Sequence, residues 1–313
     1  MPEKTESMLS TEEQVESIWH LGGLTWPGLL KRVYGEIGRD ELTTRASDLA
    51  YNFLLALFPM LLFLISLFGV FAAQSKHLQD SLFFYFQRVL PPAAYTLIEK
   101  TLHEVIRNSG GGKLAFGLVF ALWSASGGMS SLMSGLNAAY HVHDSRSYIK
   151  TKLIAIVLTV AISILVFAAM LIVLYGGNIA ELVGGKVGLG AFTVMAWKIV
   201  QWPVALAFLI LAYALIYYYG PDLKEQHWYW ITPGTLVGVI LWLAASVAFR
   251  VYLHFFNTYS RSYGSLGAVI ILLLWFYVTG FAFLIGGEIN SEIEHAAAER
   301  GHPEAKPEGK KAA

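Results

Sequence analysis

LAFGLVFALWSASGGMSSLMSGLNAAYHV, residues 114–142, opens as one of the most apolar runs of the chain and ends crowded with Gly and Ser. Three structures compete for the second half: a loop cradling a phosphate, a protease-type nucleophile turn, and a helix built of small residues. The surrounding solvent decides between them. In lipid, a Gly/Ser loop would leave backbone N–H and C=O groups unpaired, so irregular structure is disfavoured at that depth.

Composition puts the stretch in lipid. Of 313 residues, 56% are hydrophobic and 14% charged, against about 25% charged in an ordinary soluble domain. The mean hydropathy is +0.54. Several apolar runs reach the roughly 20 residues that carry a helix across a bilayer. The chain therefore reads as an all-α, multi-span membrane protein. It contains no cysteine, which excludes disulfides and thiolate metal sites. The formal net charge is zero and no long basic block is present, so no nucleic-acid partner is expected. The opening MPEKTESMLSTEEQVES is polar and acidic where a signal peptide needs an apolar core, so none is expected.

Outward from the opening stretch, six spans are expected: about Ala46–Ala73, Leu114–Tyr140, Leu153–Tyr175, Ala191–Tyr219, Trp230–Leu253 and Ser265–Asn290. Residues 1–24 read as a polar tail. Between tail and first span, Trp26, Leu30, Val33 and Ile37 share one helical face, which suits a helix lying in the membrane interface; an ordinary amphipathic packing helix is the alternative. The 74–112 connection carries two apolar stripes, Leu78–Leu82–Phe86–Leu90 and Ile98–Leu102–Val105, separated by Pro91-Pro92. Two amphipathic helices on the outer surface are expected there. The membrane domain thus covers residues 25–295, and the Pro-, Glu- and Lys-bearing tail 296–313 is expected to be disordered. Lys and Arg concentrate before span one, between spans two and three (Arg146, Lys150, Lys152), and after span six. By the positive-inside rule both termini are cytoplasmic.

With lipid as solvent, the opening stretch is a helix. Ser126, Ser130, Ser134 and Ala138 recur every four residues, and so do Gly127, Ser131, Gly135 and Ala139, one step around. Small residues at this spacing let neighbouring membrane helices approach closely. The stripe is a packing face, part of which could instead line a cavity. GMSS at 128–131 lacks the second Gly of a nucleophile elbow. In HVHD, His141 and His143 are two apart and diverge on a helix, so no metal site is expected there. No cofactor is expected either.

Polar groups inside spans are costly and mark bundle interiors or wet cavities. Asp48 and Asn52 share a face of span one with Arg45, and Pro59 on that face frees the Leu55 carbonyl and is expected to kink the helix. Ser134 and Asn137 end span two, and Glu288 and Asn290 end span six. Given six spans, all of these fall at the inner-leaflet level, either as a cytoplasm-facing cavity or as separate helix caps and inter-helix hydrogen bonds.

Four blocks carry a family resemblance: RASDLAYNFLLALFPMLLFLISLFG, LWSASGGMSSLMSGLNAAYHVHDSRSYIK, YALIYYYGPDLKEQHWYWITPGTLVGVILWLAASVAFRVY and YGSLGAVIILLLWFYVTGFAFLIGGEINSEIE. Together, over about residues 25–295, they are similar to the YihY/BrkB family of bacterial inner-membrane proteins, long labelled ribonuclease BN. The resemblance implies a six-span bundle in the cytoplasmic membrane with a role in envelope or lipid homeostasis. Its expected partners are membrane lipids and an envelope protein. The ribonuclease label finds no support in the residues: an HxHxDH-type cluster, a soluble domain to hold one and a basic RNA face are all missing. The expected function is binding or moving a lipid or other amphiphile. A scaffold without a translocated substrate comes second, and a nuclease or membrane hydrolase third.

Overall fold

Helix α1, Trp26–Arg39, starts where sequence chemistry allows: the Thr25 side chain accepts from the Gly28 amide at 3.4 Å, and Pro27 occupies the first turn. It ends at Asp40, after which Glu41 takes a left-handed φ of 52° and turns the chain into α2, Leu42–Ala72. The computed structural model describes residues 19–72, 111–187, 190–223, 231–255 and 265–299. The remaining helices are α3 (Gly111–Ala139), α4 (Tyr148–Val187), α5 (Gly190–Tyr219), α6 (Pro233–Phe255) and α7 (Ser265–Glu299). Among the described residues there is no strand.

Six of these helices, α2 to α7, fall in the six apolar segments, and the opening stretch is continuous helix in α3 as far as Ala139. Among the described residues, four segments are long and apolar enough to cross a membrane: Tyr148–Ala169, Met195–Tyr219, Pro233–Tyr252 and Val269–Glu299. Their outer surfaces carry Val157, Ile164, Trp202, Leu206, Ile240 and Val247, all exposed. Water would penalise so continuous an apolar exterior, and lipid does not. The two expected outer helices of the 74–112 connection lie largely outside the described residues.

The chain divides into two compact units. Unit two, Asn52–Met129, contains the second half of α2, with Pro59 inside the helix, and the first half of α3. Its helices meet where Gly128 faces the Phe53 ring: a Cβ on Gly128 would stand 2.8 Å from Phe53 Cδ1.

Unit one holds everything else, and α7 is its backbone. Against α7 pack α6, α1 and the 3₁₀ turn Leu21–Gly23, while α4 packs on α5. Leu29 and Val33 of α1 are buried with Leu21, Ile289 and Ile293. The buried stripe of α1 is therefore set round from the expected Trp26–Leu30–Val33–Ile37 face; Trp26, Leu30 and Tyr34 remain exposed as a second apolar stripe at four-residue spacing.

Two expected boundaries need correction. Residues up to 24 do not all form a tail: Leu21 and Gly22 are buried, and Gly22 sits at φ 58° with its α-carbon against the Ile293 carbonyl, where only glycine fits. At the other end, α7 does not give way at Ala296 but runs to Glu299, with Ala296 and Ala297 buried. Three consecutive alanines favour helix intrinsically. Arg32 fastens the end, donating to both Glu299 carboxylate oxygens at 3.1 and 2.8 Å.

Candidate functional site

The expected cavity residues differ in burial, and Tyr140 has both Asn290 and Glu288 near it. In unit one, Asp48 and Ser134 are exposed, whereas Asn137, Glu288 and Asn290 are buried, each with different partners. Asn52, in unit two, is half-buried. Of the small-residue stripe, Gly135 and Ala139 are buried, with Gly135 against α7: a Cβ there would stand 2.8 Å from Leu284 Cδ2. Ser131 is half-buried, and nothing lies within 4 Å of where a Gly127 Cβ would be.

Asn290 ties two helices together. Its Oδ1 accepts from the Gly234 amide at the start of α6, 2.9 Å away, and its side chain also hydrogen-bonds with Tyr140. Gly234 and Gly286 face each other without side chains, which lets α6 and α7 approach this closely. Beside them the Tyr217 hydroxyl donates to the Phe283 carbonyl at 2.8 Å.

Asn137 belongs to a clamp built from two loops. Its Oδ1 accepts from the Asp222 amide at 2.7 Å, and its Nδ2 donates to Asp144 at 3.3 Å. Arg146 grips Asp144 with two N–H groups at 2.8 and 2.9 Å and donates to the Gly220 carbonyl at 3.0 Å. Asp222 in turn accepts from the Ser145 amide and hydroxyl, both at 2.7 Å. Burial would raise the Asp144 carboxyl, but hydrogen bonds from the Arg146 side chain and backbone, with its charge, outweigh burial and hold it below the ordinary carboxylate range. The Arg146 guanidinium also supplies charge at the C-terminal end of α5, where helix carbonyls lack partners.

Glu288 lies in a different environment. It is fully buried, and among the described residues neither carboxylate oxygen meets an N–H donor or a cation; its near neighbour is the Asp40 carboxyl. The groups around it are the carboxylates of Asp40, Glu292 and Glu36. Three of these four acids have a cationic or imidazole neighbour. Glu36 accepts from Arg39 at 2.7 Å; Glu292 has His295 Nδ1 at 3.6 Å and Arg32 at 3.8 Å. Asp40 has His141 Nε2, 3.1 Å from both its oxygens. The His141 ring is stacked on His295 with centroids 5.4 Å apart. Donor atoms of Glu36, Asp40 and His141 all lie within 4.8 Å of one another.

Local backbone delivers these groups. Helix α3 closes with the Val142 amide on the Asn137 carbonyl and the His141 amide on the Ala138 carbonyl, both at 2.8 Å. That is a Schellman cap, whose left-handed position normally holds Gly. Here His141 occupies it at φ 51°, and Glu41 takes the equivalent position after α1 at φ 52°. A non-glycine residue there costs on the order of 1 kcal/mol or more. On α7, Glu288, Glu292 and His295 follow one another at spacings of four and three, so they share a face.

Sequence inspection found Glu288 but missed its neighbours. The spacing in GGEINSEIEHAAAE was a usable signal for Glu292 and His295. None existed for Asp40, which reaches His141 across 101 residues.

The sequence pattern of a family described as "Virulence factor BrkB" matches residues 33–310. The chain belongs to the BrkB family. It is 33% identical over 262 residues to the "Putative ribonuclease-like protein YfkH" of Bacillus subtilis, covering 84% of this chain and 94% of that protein. It is 27% identical over 267 residues to a "UPF0761 membrane protein" of Xanthomonas oryzae, covering 85% of this chain. Relatives of the same description from Xanthomonas campestris and Xanthomonas axonopodis match to the same extent, and the chain spans 60% of the length of each. No solved structure matches it. This BrkB-family chain is thus a membrane protein, as its helices require.

Proposed function

We propose that this BrkB-family protein is a six-span protein of the bacterial cytoplasmic membrane that binds or moves a lipid or other amphiphile, with Glu288 and its neighbours as its polar working centre. The observation that carries the proposal is the Glu288 carboxyl, buried without an N–H donor or a cation among the described residues, on a helix that is otherwise apolar for most of its length. Burying an ionisable group this way costs several kcal/mol unless it is compensated, and in membrane proteins such groups mark pathways and coupling sites. Both termini are assigned to the cytoplasm. The contact of Gly22 with Ile293 and Ala297, which joins the two ends of the described chain, supports a shared side. Membrane lipids, and through them an envelope partner protein, are the expected associates. A scaffold is the second proposal, favoured by the Arg146 clamp, which ties loops together through hydrogen bonds that satisfy one another. We infer no nuclease activity: Glu288 and Glu292 are buried and Glu36 and Asp40 half-buried, and the sequence carries no long basic block to hold RNA beside them.

The proposal is tested in proteoliposomes that carry a fluorescent phospholipid, bleached from outside by an impermeant reductant. The wild-type chain is expected to expose inner-leaflet lipid faster than empty vesicles, and Glu288→Gln to abolish the difference. Equal rates for wild type and empty vesicles leave the scaffold standing. The topology is tested in intact cells, because the chain has no native cysteine to confuse the result. A cysteine at Ser147 is expected to resist an impermeant thiol reagent and one at Thr258 to react; the reverse pattern inverts the orientation.

A further inference from the structure

We propose that Glu36, Asp40, His141 and Glu288 bind a divalent first-row transition-metal ion, Mn²⁺ or Zn²⁺. The inference goes beyond the amphiphile proposal and stands whether or not the chain moves lipid. Two independent observations meet here. The first is geometric: one donor atom each from Glu36, Asp40 and His141 lies within 4.8 Å of the others. Ligands about 2.0–2.2 Å from a tetrahedral ion sit about 3.3–3.6 Å apart, so the widest pair must close by at most about 1.5 Å, within the reach of side-chain rotation. The second is the Glu288 side chain, wholly buried, with neither oxygen held by a cation or an N–H donor among the described residues and with the Asp40 carboxyl beside it, close enough for the two to share a proton or an ion. A cation between them supplies the charge these acids lack.

The donor set selects the ion. Three carboxylates and one imidazole suit Mn²⁺ or Zn²⁺; an imidazole is a poor ligand for Ca²⁺ or Mg²⁺, which prefer oxygen alone. The surrounding charges are accounted for. Arg39 occupies Oε1 of Glu36 at 2.7 Å, leaving that carboxylate its other oxygen for an ion. Arg32 lies 3.8 Å from Glu292 and is turned to Glu299 at 2.8 Å. Glu292 and His295 stand behind the four ligands: His295 stacks on the His141 ring and has Glu292 at 3.6 Å, an arrangement that holds a ligating imidazole in orientation. No sequence motif announces the site, because His141 pairs with Asp40 and not with His143, which is exposed.

The test is metal content and binding in the full chain, purified in detergent, stripped with EDTA and desalted. After equilibration with Mn²⁺ or Zn²⁺ and removal of free ion, elemental analysis is expected to find about one ion per chain, and the unfolding temperature to rise with the ion present. Asp40→Asn and Glu288→Gln are each expected to weaken binding by about tenfold or more, while His143→Ala leaves it unchanged. His141→Gly, which keeps the left-handed turn while deleting the imidazole, gives a second route if a carboxamide variant fails to fold. Absence of stoichiometric binding up to about 1 mM of either ion overturns the proposal. So does binding that survives in Asp40→Asn, Glu288→Gln and His141→Gly alike, or that is lost in His143→Ala. Metal content is read without any lipid assay, so failure here and failure of lipid movement are separate results.

Discussion

Two polar networks occupy unit one, and they are built on opposite principles. In the first, Asn137, Asp144, Ser145, Arg146 and Asp222 exchange hydrogen bonds between 2.7 and 3.3 Å, and each carboxylate has donors. In the second, four carboxylates and two imidazoles crowd together, and the most buried of them, Glu288, meets no cation or N–H donor among the described residues. A network that satisfies itself rigidifies the fold and leaves nothing to bind. One that leaves a buried charge open costs stability and has capacity for a ligand. The clamp belongs to structure and the cluster to function, and this difference can be attacked by mutation.

The largest effect is expected from Arg146→Ala. It strips two donors from the exposed Asp144 and leaves the Gly220 carbonyl without its partner, with an expected loss of about 2–3 kcal/mol, the range for charge-assisted hydrogen bonds. Thermal unfolding in detergent measures it. Glu288→Gln is expected to leave the unfolding temperature unchanged or raised, since it replaces a buried carboxyl among other carboxyls by an isosteric amide, while lipid movement is lost. Equal destabilisation by both variants would erase the distinction between the networks.

Next comes Gly135→Leu, which drives a branched side chain towards Leu284 and is expected to cost about 1–3 kcal/mol. Gly127→Leu, two stripe positions and just over two turns away, meets nothing within 4 Å among the described residues and is expected to be near neutral. Comparable losses at both positions would mean that the whole stripe is packed.

This contrast along α3 bears on what the sequence could reveal. The helices were legible because apolar runs of membrane length have a single solution in lipid. The small-residue face was legible as a face, but which half is packed depends on where α7 crosses, and periodicity carries no such information. Glu288 was visible because a carboxylate in an apolar run is expensive, whereas Asp40 and Glu36, at the end of a helix rich in charge, looked like solvated residues. The end of α7 was misjudged because Pro, Glu and Lys further on dominated the composition, while Ala296 and Ala297 follow the local helix preference and bury against Gly22.

A smaller effect concerns acid. The folded-state carboxyl of Asp144 is held below its unfolded value, so its contribution is present above the unfolded pKa, about 3.9, and is lost as pH falls through the depressed folded value. The clamp is therefore expected to hold at neutral pH and to weaken only in that acidic window. Asp144→Asn is expected to flatten the dependence there. An unchanged acid limb in that variant would assign acid sensitivity to other groups.

The smallest effects are expected at the two left-handed turns, and their comparison is the finest test of the cluster. Glu41 is exposed and its side chain has no role in the metal proposal, so Glu41→Gly relieves backbone strain alone. It is expected to stabilise the chain by about 0.5–1 kcal/mol, the usual difference between glycine and another residue at such a cap. His141→Gly relieves the same strain at φ 51° but also removes the 3.1 Å contact with Asp40 and the stacking on His295. In metal-free protein, a gain at His141 matching that at Glu41 would mean that the imidazole adds nothing to the fold. The strain at position 141 would then be borne for the sake of a ligand. A clear loss at His141 would show the imidazole holding Asp40 in place, which makes it a structural partner in the cluster even before any ion binds. Each result fixes how much of the strained turn belongs to the fold and how much to the site.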